Sequence, residues 1–426
     1  MQVKVEKTTQ LNGAVTIPAD KSISHRAVML GALCDSRLKI TNFSKGEDCR
    51  NTLEIFKQLG SEVEFINESD FYLIPSKLKA PKTPLYVGNS GTTIRLISGI
   101  LASQDFTCTI SGDESLSKRP MGRIIKPLTL MGAKISSLNN DDKAPLIIEG
   151  STLQGIDYDS PIASAQIKSC LLFAGLHAQG TTRITEPYKS RSHSELMLKY
   201  LGANIKENSN TVEIQKSQLQ AGNITIAGDI SSAAFFLVAG AIVEGADITV
   251  KNVGLNPTRT GIIDVLKQMG ASIEIFNQRT LSGEDTGDVR VCYSGLKAVT
   301  IEGEIIPRLI DELPVIAILA SQAEGTTIVK DAQDLRNKES DRIKTVCHEF
   351  RKLGVDIEET QDGFRINGKT KLKGDTIVEC YHDHRLAMSA YVAGLICEKP
   401  VLINNFEWVN TSFPEFLELI YKIKES

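Results

Sequence analysis

Short segments that could receive anions recur along the whole chain. The first, PADKSISHR (18–26), places a lysine, two hydroxyls and an arginine close together beside a proline. Arginine suits carboxylates and phosphates because its planar guanidinium donates two parallel hydrogen bonds. Similar segments follow: GNSGTTIR (88–95), SKRP (117–120), SAQIK (164–168), NKESDR (337–342) and DHR (383–385). The pattern predicts one anion-binding site built from many segments.

Length and charge limit the classes of protein to consider. A chain of 426 residues is long enough for about two domains. Its net charge of −4 argues against a nucleic-acid partner, which would need a broad basic surface. No apolar run reaches the roughly 18 residues of a membrane span, and the N-terminus has no signal-peptide core. We therefore expect a cytoplasmic protein without a membrane partner.

The cysteines predict neither a disulfide framework nor a zinc site. The chain has eight of them, scattered and without a C-x-x-C spacing. Three of them lie in apolar segments predicted to be helical, where buried thiols are expected: Cys34, Cys170 and Cys397.

Two kinds of repeat predict the elements that position the polar segments. An apolar helix followed by a turn and a β-branched strand occurs six times, at 25–43, 93–112, 166–187, 231–252, 312–331 and 384–405. Between these, a helix closed by glycine precedes an alternating strand, with the glycine at Gly60, Gly132, Gly202, Gly270 or Gly354, where a helix end needs positive φ. Six repeats in a chain of two-domain length predict an α/β fold with three repeats per domain.

The apolar helices that open the six repeats should be buried beneath sheets, because a segment such as SSAAFFLVAGAI is apolar on most faces. These helices begin just after the polar segments. Their free N–H groups and positive dipole ends would then point at one place. Such an arrangement binds phosphate and carboxylate without a metal.

The motifs taken together resemble those of the 5-enolpyruvylshikimate-3-phosphate synthase family. They are DKSISHR, GNSGTTIR, DESLSKRPMGR, SAQIKS, SRSHSE, NPTRTG, DELPV, NKESDR and DHRLAM, in family order. SAQIK, the R-x-H-x-E of 191–195 and the N-x-T-R of 256–259 resemble the branch called class II. The chain departs from its G-D-K pattern, with Ala19 in place of the glycine.

The resemblance implies two similar lobes, each of three βαβαββ-type units with buried helices and pseudo-threefold symmetry. One lobe would be continuous, over 20–227. The other would be discontinuous, from 1–19 and 228–426. The resemblance also implies an active site in the cleft between the lobes.

The implied reaction transfers the enolpyruvyl group of phosphoenolpyruvate to the 5-hydroxyl of shikimate 3-phosphate and releases phosphate. The residues implied for shikimate 3-phosphate are Lys21, Ser22, Arg26, Ser164, Ala165, Gln166, Asp311 and Lys338. Those implied for phosphoenolpyruvate are Lys21, Gly91, Arg119, Gln166, Arg342 and Arg385. A cationic lining is needed because the two substrates together carry four anionic groups.

The reaction needs a base for the hydroxyl and an acid for the vinyl CH₂. Asp311 is the candidate base and Glu339 the candidate acid. Lys21 would stabilise the developing charge and could share the proton delivery. The resemblance implies no metal and no organic cofactor.

The resemblance also implies inhibition by glyphosate at the phosphoenolpyruvate site, and a monomer is expected. The class II motifs favour tolerance of glyphosate, whereas Gly91 favours its binding. Some relatives carry a lysine before a Thr-Phe-Pro near the C-terminus. This chain has Asn410-Thr411-Ser412-Phe413-Pro414 there, so no contact is expected from that loop.

Two other functions are possible for such a sequence. The sister transferase that acts on UDP-N-acetylglucosamine carries a cysteine in the loop that here reads DESLSKRPMGR, and a K-N-A motif near its start. An RNA-end-processing protein on a related fold would need a nucleophilic histidine or a nucleotide loop, and no histidine here falls in a Gly-rich loop.

Structural roles also remain open for several motif residues. Asp311 could be the N-cap of the following helix. The charged residues of NKESDR could form a solvated helix face. The polar residues of 191–195 could lie at the surface.

Overall fold

A computed structural model describes residues 1–424. The chain divides into two units. The N-terminal unit comprises Ala19–Ile226 and Thr280–Glu284. The C-terminal unit comprises Met1–Pro18, Ala227–Arg279 and the chain from Asp285 onward. The lobe boundaries inferred from the resemblance stay a prediction.

Helices alternate with strands in both units. In the N-terminal unit they are α1 (Lys21–Gly31), α2 (Glu47–Gln58), α3 (Gly91–Leu101), α4 (Gly122–Leu130), α5 (Ala165–Gly175) and α6 (His193–Tyr200). In the C-terminal unit they are α7 (Ile230–Ile242), α8 (Gly261–Gln268), α9 (Ile306–Leu309), α10 (Leu313–Ser321), α11 (Arg342–Lys352), α12 (His384–Gly394) and α13 (Phe416–Lys424).

The N-terminal unit contains three four-stranded sheets. In spatial order the first has Ile224–Thr225, Leu38–Thr41, Phe71–Ile74 and Glu62–Phe65; the second has Leu85–Tyr86, Thr107–Ser111, Leu146–Glu149 and Lys134–Ser137; the third has Asp157–Asp159, Thr181–Thr185, Thr211–Gln215 and Ile205–Asn208. In each sheet the first pair is parallel and the other two pairs are antiparallel. With their helices, the second and third sheets follow a βαβαββ order along the chain.

The first sheet takes its outer strand from the far end of the unit. Ile224 pairs in parallel with Ile40, although the two residues are far apart in sequence. The C-terminal unit does the same, because Asn12–Thr16 pairs in parallel with Asp247–Gly254. Each unit therefore closes only when distant parts of the chain meet.

The C-terminal unit has three sheets among its described residues. In spatial order one has Ser272–Leu281, Glu284–Cys292, Asp247–Gly254 and Asn12–Thr16; another has Leu296–Lys297, Ala323–Val329, Phe364–Gly368 and Asp356–Glu359, with Thr300–Ile301 also on Ala323–Val329; the last has Val3–Val5, Val401–Asn404 and Thr376–Glu379. The predicted α/β repeat fold is confirmed.

The apolar helices lie inside the units, as their composition predicts. Every residue of α7 and of α10 is buried. In the N-terminal unit, α3 and α5 pack closely because Gly99 has no side chain, and a Cβ there would lie 2.0 Å from the carbonyl oxygen of Cys170. These buried helices start at the polar segments and hold them in place.

The glycines predicted to end helices have the expected backbone conformation. Their φ angles are 110° at Gly60, 90° at Gly132, 81° at Gly202, 87° at Gly270 and 95° at Gly354. The thiols of Cys34, Cys170 and Cys397 are buried, as predicted. Burial raises the pKa of Cys34 to about 12. Within residues 1–424, no helix combines the length and apolar character that a membrane crossing requires.

Candidate active site

The first polar segment forms the start of α1. Asp20 is the N-cap, and its carboxylate accepts a hydrogen bond from the Ile23 amide at 2.8 Å. The next residue, Lys21, makes a 2.5 Å ion pair with Asp48 of α2. The lysine side chain is 19% exposed and the aspartate 6%. The carboxylate thus fixes the candidate catalytic ammonium group while leaving it partly accessible.

Arg26, further along α1, is a buried arginine. It donates to the Ser22 carbonyl at 2.8 Å, to Ser194 Oγ at 2.7 Å and to Ser169 Oγ at 2.9 Å. These contacts tie α1 to α5 and α6. They therefore fix the orientation of the guanidinium group.

Gly91 is the first residue of α3, and Ser90 caps the helix by accepting a hydrogen bond from the Thr93 amide at 3.1 Å. A Cβ at Gly91 would lie 3.3 Å from a terminal nitrogen of Arg119 and 3.3 Å from one of Arg95. Both arginines are largely buried. The glycine therefore leaves the helix start open beside two guanidinium groups.

Asn89 orients the first of these arginines, because its side-chain oxygen accepts a hydrogen bond from Arg119. Its amide nitrogen donates to Asp113 at 2.7 Å. Arg95 is not among the site residues predicted from the sequence. It donates to Gln166 Oε1 at 2.5 Å and to the Pro120 carbonyl at 3.2 Å. Its position in GNSGTTIR, one helical turn after the glycine, was the available signal.

The segment 164–166 forms the start of α5. Ser164 is its N-cap and accepts from the Ile167 amide at 3.5 Å. Ala165 and Gln166 follow in the first turn and are partly exposed. The Gln166 amide nitrogen donates to Thr92 Oγ1 at 3.2 Å. Helices α3 and α5 are therefore linked at their N-termini, where free N–H groups favour anions.

His193 and Glu195 are both buried in the first turn of α6, so the surface interpretation of these two residues is wrong. Glu195 forms an ion pair with Lys168 at 2.7 Å. Arg191 is partly buried.

The C-terminal unit gathers its predicted residues around Arg342, the first residue of α11. This arginine, 1% exposed, donates to Asp383 at 2.7 and 3.2 Å, to Glu339 at 2.6 Å and to Asp311 at 3.3 Å. Burial alone would raise the pKa of Asp383, but the adjoining Arg342 lowers it below its usual value. The segment NKESDR is therefore not a solvated helix face.

Asp311 lies between two cations. Its Oδ1 is 3.3 Å from Arg342 and 3.5 Å from Lys338 Nζ. It does not cap α10, because the helix begins at Leu313 and the N-cap position falls on Glu312. The capping role considered for Asp311 is therefore wrong. This partly exposed carboxylate thus faces two cations.

Arg385 is the second residue of α12. Its amide donates to Asp383 at 3.0 Å, and its guanidinium donates to the Asp311 carbonyl at 3.2 Å. Its NH1 also lies 3.8 Å from Glu312 Oε1. The five predicted residues of this unit, Asp311, Lys338, Glu339, Arg342 and Arg385, thus form one connected cluster.

Solved structures share this fold. EPSP synthase from Acinetobacter baumannii matches with a TM-score of 0.88 and 43% sequence identity, over 99% of this chain and 98% of that one. The enolpyruvyl transferase NikO from Streptomyces tendae matches with a TM-score of 0.81 over 99% of this chain and 96% of that one. At 16% identity, this second likeness shows the fold alone. The architecture is that of the enolpyruvyl transferases.

The sequence comparison is more specific. Residues 5–420 match the family EPSP synthase (3-phosphoshikimate 1-carboxyvinyltransferase). A 3-phosphoshikimate 1-carboxyvinyltransferase from Bacillus licheniformis is 50% identical over 427 residues, which cover 99% of this chain and 100% of the relative. One from Petrotoga mobilis is 47% identical over 431 residues, covering 100% of both. The chain belongs to the EPSP synthase family, which confirms the resemblance.

Proposed function

We propose that the chain transfers the enolpyruvyl group of phosphoenolpyruvate to the 5-hydroxyl of shikimate 3-phosphate and releases phosphate. Family membership over residues 5–420 supports this reaction. The structural observation that carries it is the pair of carboxylates, Asp311 and Glu339, held on the single guanidinium of Arg342. This cluster supports a site in which one carboxylate would act as base, the other as acid, and the guanidinium would bind an anionic substrate.

Shikimate 3-phosphate is proposed to bind residues at the starts of two buried helices of the N-terminal unit and two residues of the C-terminal unit. Arg26 and the first turns of α1 and α5 supply positive charge and free N–H groups for its phosphate and carboxylate. The complete proposed set is Lys21, Ser22, Arg26, Ser164, Ala165, Gln166, Asp311 and Lys338.

Phosphoenolpyruvate is proposed to bind the arginines, because guanidinium groups match its carboxylate and phosphate oxygens in pairs. The proposed set is Lys21, Gly91, Arg119, Gln166, Arg342 and Arg385. We add Arg95 as a supporting residue, since it holds the Gln166 side chain oxygen at 2.5 Å.

The proton transfers follow from the contacts of Arg342. Asp311, which faces two cations, would accept the proton of the 5-hydroxyl. Glu339 is paired with Arg342 at 2.6 Å. When an anionic substrate takes over this guanidinium, Glu339 loses its counter-charge, which favours its protonated form. It would then deliver the proton to the vinyl CH₂ while the 5-hydroxyl oxygen bonds to C2, and Lys21 would stabilise the charge that develops. In the second step the C2–O bond to phosphate would break, and the new methyl group would return a proton to Glu339. This restores the vinyl group, and phosphate would leave with the proton held by Asp311.

Three further properties are proposed. Glyphosate, a small anion, would compete with phosphoenolpyruvate beside Gly91. The protein would be a monomer, which light scattering on the eluting protein can test. It would also act in the cytoplasm, which fractionation of its source cells can test.

A phosphate-release assay tests the reaction. Release should require both shikimate 3-phosphate and phosphoenolpyruvate, and the carboxyvinyl product should appear in equal amount. UDP-N-acetylglucosamine in place of shikimate 3-phosphate is the control acceptor and should give no release. Release with this sugar nucleotide alone would assign the chain to the sister reaction instead.

A further inference from the structure

A lysine is buried between two glutamates in the N-terminal unit. Lys168, on α5, is paired with Glu186 at 2.8 Å and with Glu195 at 2.7 Å. All three side chains are at most 3% exposed. Burial alone would lower the pKa of Lys168, but the two glutamates raise it above its usual value, so the lysine is charged. None of the three residues belongs to the proposed substrate ligands.

Glu186 contacts the backbone of two loops. Its Oε1 accepts a hydrogen bond from the Ser164 amide at 2.9 Å. Its Oε2 accepts from the Ser190 amide at 3.2 Å and from the Ser190 hydroxyl at 2.9 Å. Lys168 completes the arrangement by donating to the Ser190 carbonyl at 3.3 Å. One carboxylate therefore joins the start of α5 to the segment before α6.

Helices α5 and α6, which Glu186 joins, also hold Arg26 in position. Its guanidinium is held by Ser169 on α5 and by Ser194 on α6. These two hydroxyls lie 2.6 Å from each other. A shift of α5 relative to α6 would therefore displace Arg26 as well as Ser164, and both are proposed ligands of the same substrate.

We propose that Glu186 is a positioning residue for shikimate 3-phosphate. It acts through the Ser164 backbone and through the two serine hydroxyls that hold Arg26. The proposal rests on the proposed function for the identity of the ligand. Glu186 itself does not contact the substrate. Lys168 holds its carboxylate in place and compensates its charge in the interior.

Glutamine cannot replace this carboxylate. Both oxygens of Glu186 accept hydrogen bonds from N–H groups, so the amide NH₂ of a glutamine would face a donor on one side or the other. Glu195 offers a matched control, because its Oε1 pairs with the same lysine while its Oε2 accepts no hydrogen bond among the described residues. Glu195→Gln removes the same charge from the same buried group without touching the Ser164 backbone.

The test compares Glu186→Gln with Glu195→Gln in the full-length protein. Calorimetric titration with shikimate 3-phosphate should show a Kd raised by about 10- to 100-fold in Glu186→Gln, with a parallel rise in its KM. The kcat, and the KM for phosphoenolpyruvate at saturating shikimate 3-phosphate, should stay within about threefold, since the reacting groups are unchanged. Glu195→Gln should bind shikimate 3-phosphate with a Kd close to that of the wild type.

Glu186→Asp serves as a second variant in case the glutamine variant does not fold. It keeps the charge beside Lys168 but is shorter by one methylene, so it cannot reach both loops. It should also weaken the binding of shikimate 3-phosphate, with a smaller change in melting temperature. Binding like the wild type in both Glu186 variants, or equal weakening in Glu195→Gln, would overturn the proposal.

The same measurements separate this inference from the proposed function. If the wild type releases phosphate normally and the Glu186 variants bind shikimate 3-phosphate as tightly as the wild type, only the positioning role is overturned. Wild-type protein that neither binds shikimate 3-phosphate nor releases phosphate overturns the proposed function, and the positioning role with it.

Discussion

Arg342 and Asp383 form a two-point ion pair in the interior of the C-terminal unit, with distances of 2.7 and 3.2 Å. The arginine is 1% exposed and the aspartate is fully buried. The same carboxylate caps α12 by accepting hydrogen bonds from the amides of Arg385 and Leu386. One buried group therefore fixes a proposed phosphoenolpyruvate ligand and the start of the helix that carries another.

Asp383→Asn should lower both stability and affinity for phosphoenolpyruvate. Asparagine can still cap α12, but the charge of Arg342 loses its main buried partner, at a cost of about 3–5 kcal/mol in the free energy of unfolding. Denaturant unfolding and the KM for phosphoenolpyruvate measure the two effects. Asp375→Asn is the control, since its pair with Lys399 is exposed and should contribute little to stability. Equal losses in both variants would contradict the prediction.

The Asp383 pair should also make stability depend on pH. Because the folded protein lowers the pKa of Asp383, its contribution is complete above the unfolded value of about 3.9 and is lost as the pH falls through the folded value. The difference in unfolding free energy between wild type and Asp383→Asn should therefore be constant around pH 6 and shrink below about pH 4. A difference that grows on acidification would show that another group is responsible.

Lys21→Met should reduce kcat by about 100- to 1,000-fold, because it removes a charge that acts in the transition state. It also leaves Asp48 without the lysine, so some loss of stability is expected. The double variant Lys21→Met/Asp48→Asn should recover the melting temperature but not the turnover. Recovery of both would mean that the lysine has a structural role only. Lys57→Met, at an exposed pair with Glu54, controls for the loss of a lysine.

Asp311→Asn should lower kcat by about 100- to 10,000-fold, as expected for removal of a general base. Its melting temperature should fall less than that of Asp383→Asn, because Asp311 does not cap α10 and Arg342 keeps Asp383 and Glu339 as partners. Asp334→Asn is a matched control, since Asp334 lies 3.7 Å from Lys338 and is more exposed. Normal turnover in Asp311→Asn would exclude it as the base.

Gly91→Ala should weaken the binding of glyphosate more than the binding of phosphoenolpyruvate. The new methyl group would lie 3.3 Å from both Arg95 and Arg119, so these side chains must shift, and a longer ligand has less room to adapt. We expect the inhibition constant of glyphosate to rise by about tenfold or more relative to the KM of the substrate. Gly295→Ala is the control, because a Cβ there would lie more than 4 Å from every described atom beyond its chain neighbours. Equal inhibition of wild type and Gly91→Ala would place the discrimination elsewhere.

The sequence predicted the repeats and helix starts because these depend on local signals. Short polar side chains directly before apolar helical segments predict N-caps, as at Asp20, Ser164 and Asp383. All three accept hydrogen bonds at helix N-termini. Asp311 looked equivalent, but the short helix α9 and the proline at the start of α10 move the cap by one residue, to Glu312. Boundaries of this kind depend on the preceding turn, which residue types alone do not specify.

Partners on different helices could not be predicted. Asp48 pairs with Lys21 from a separate helix, and Arg95 reaches Gln166 from α3 to α5. The positioning role of Glu186 was not predicted, because this residue directly follows the strand Thr181–Thr185 and belongs to no polar motif. A single sequence carries periodicity and caps, but contacts between elements distant in sequence appear only after the helices have packed.

The order of strands along the polypeptide has a consequence for synthesis. Val3–Val5 pairs with Val401–Asn404 in the described structure. At about 5–20 residues per second, a ribosome needs roughly 20 to 80 seconds between making the first strand and its partner. The sheet strands of the N-terminal unit are all made once Ile224–Thr225 has emerged, and its last segment, Thr280–Glu284, follows soon after. Val3–Val5 remains without its strand partner throughout this interval, whereas Asn12–Thr16 can pair as soon as Asp247–Gly254 has been made.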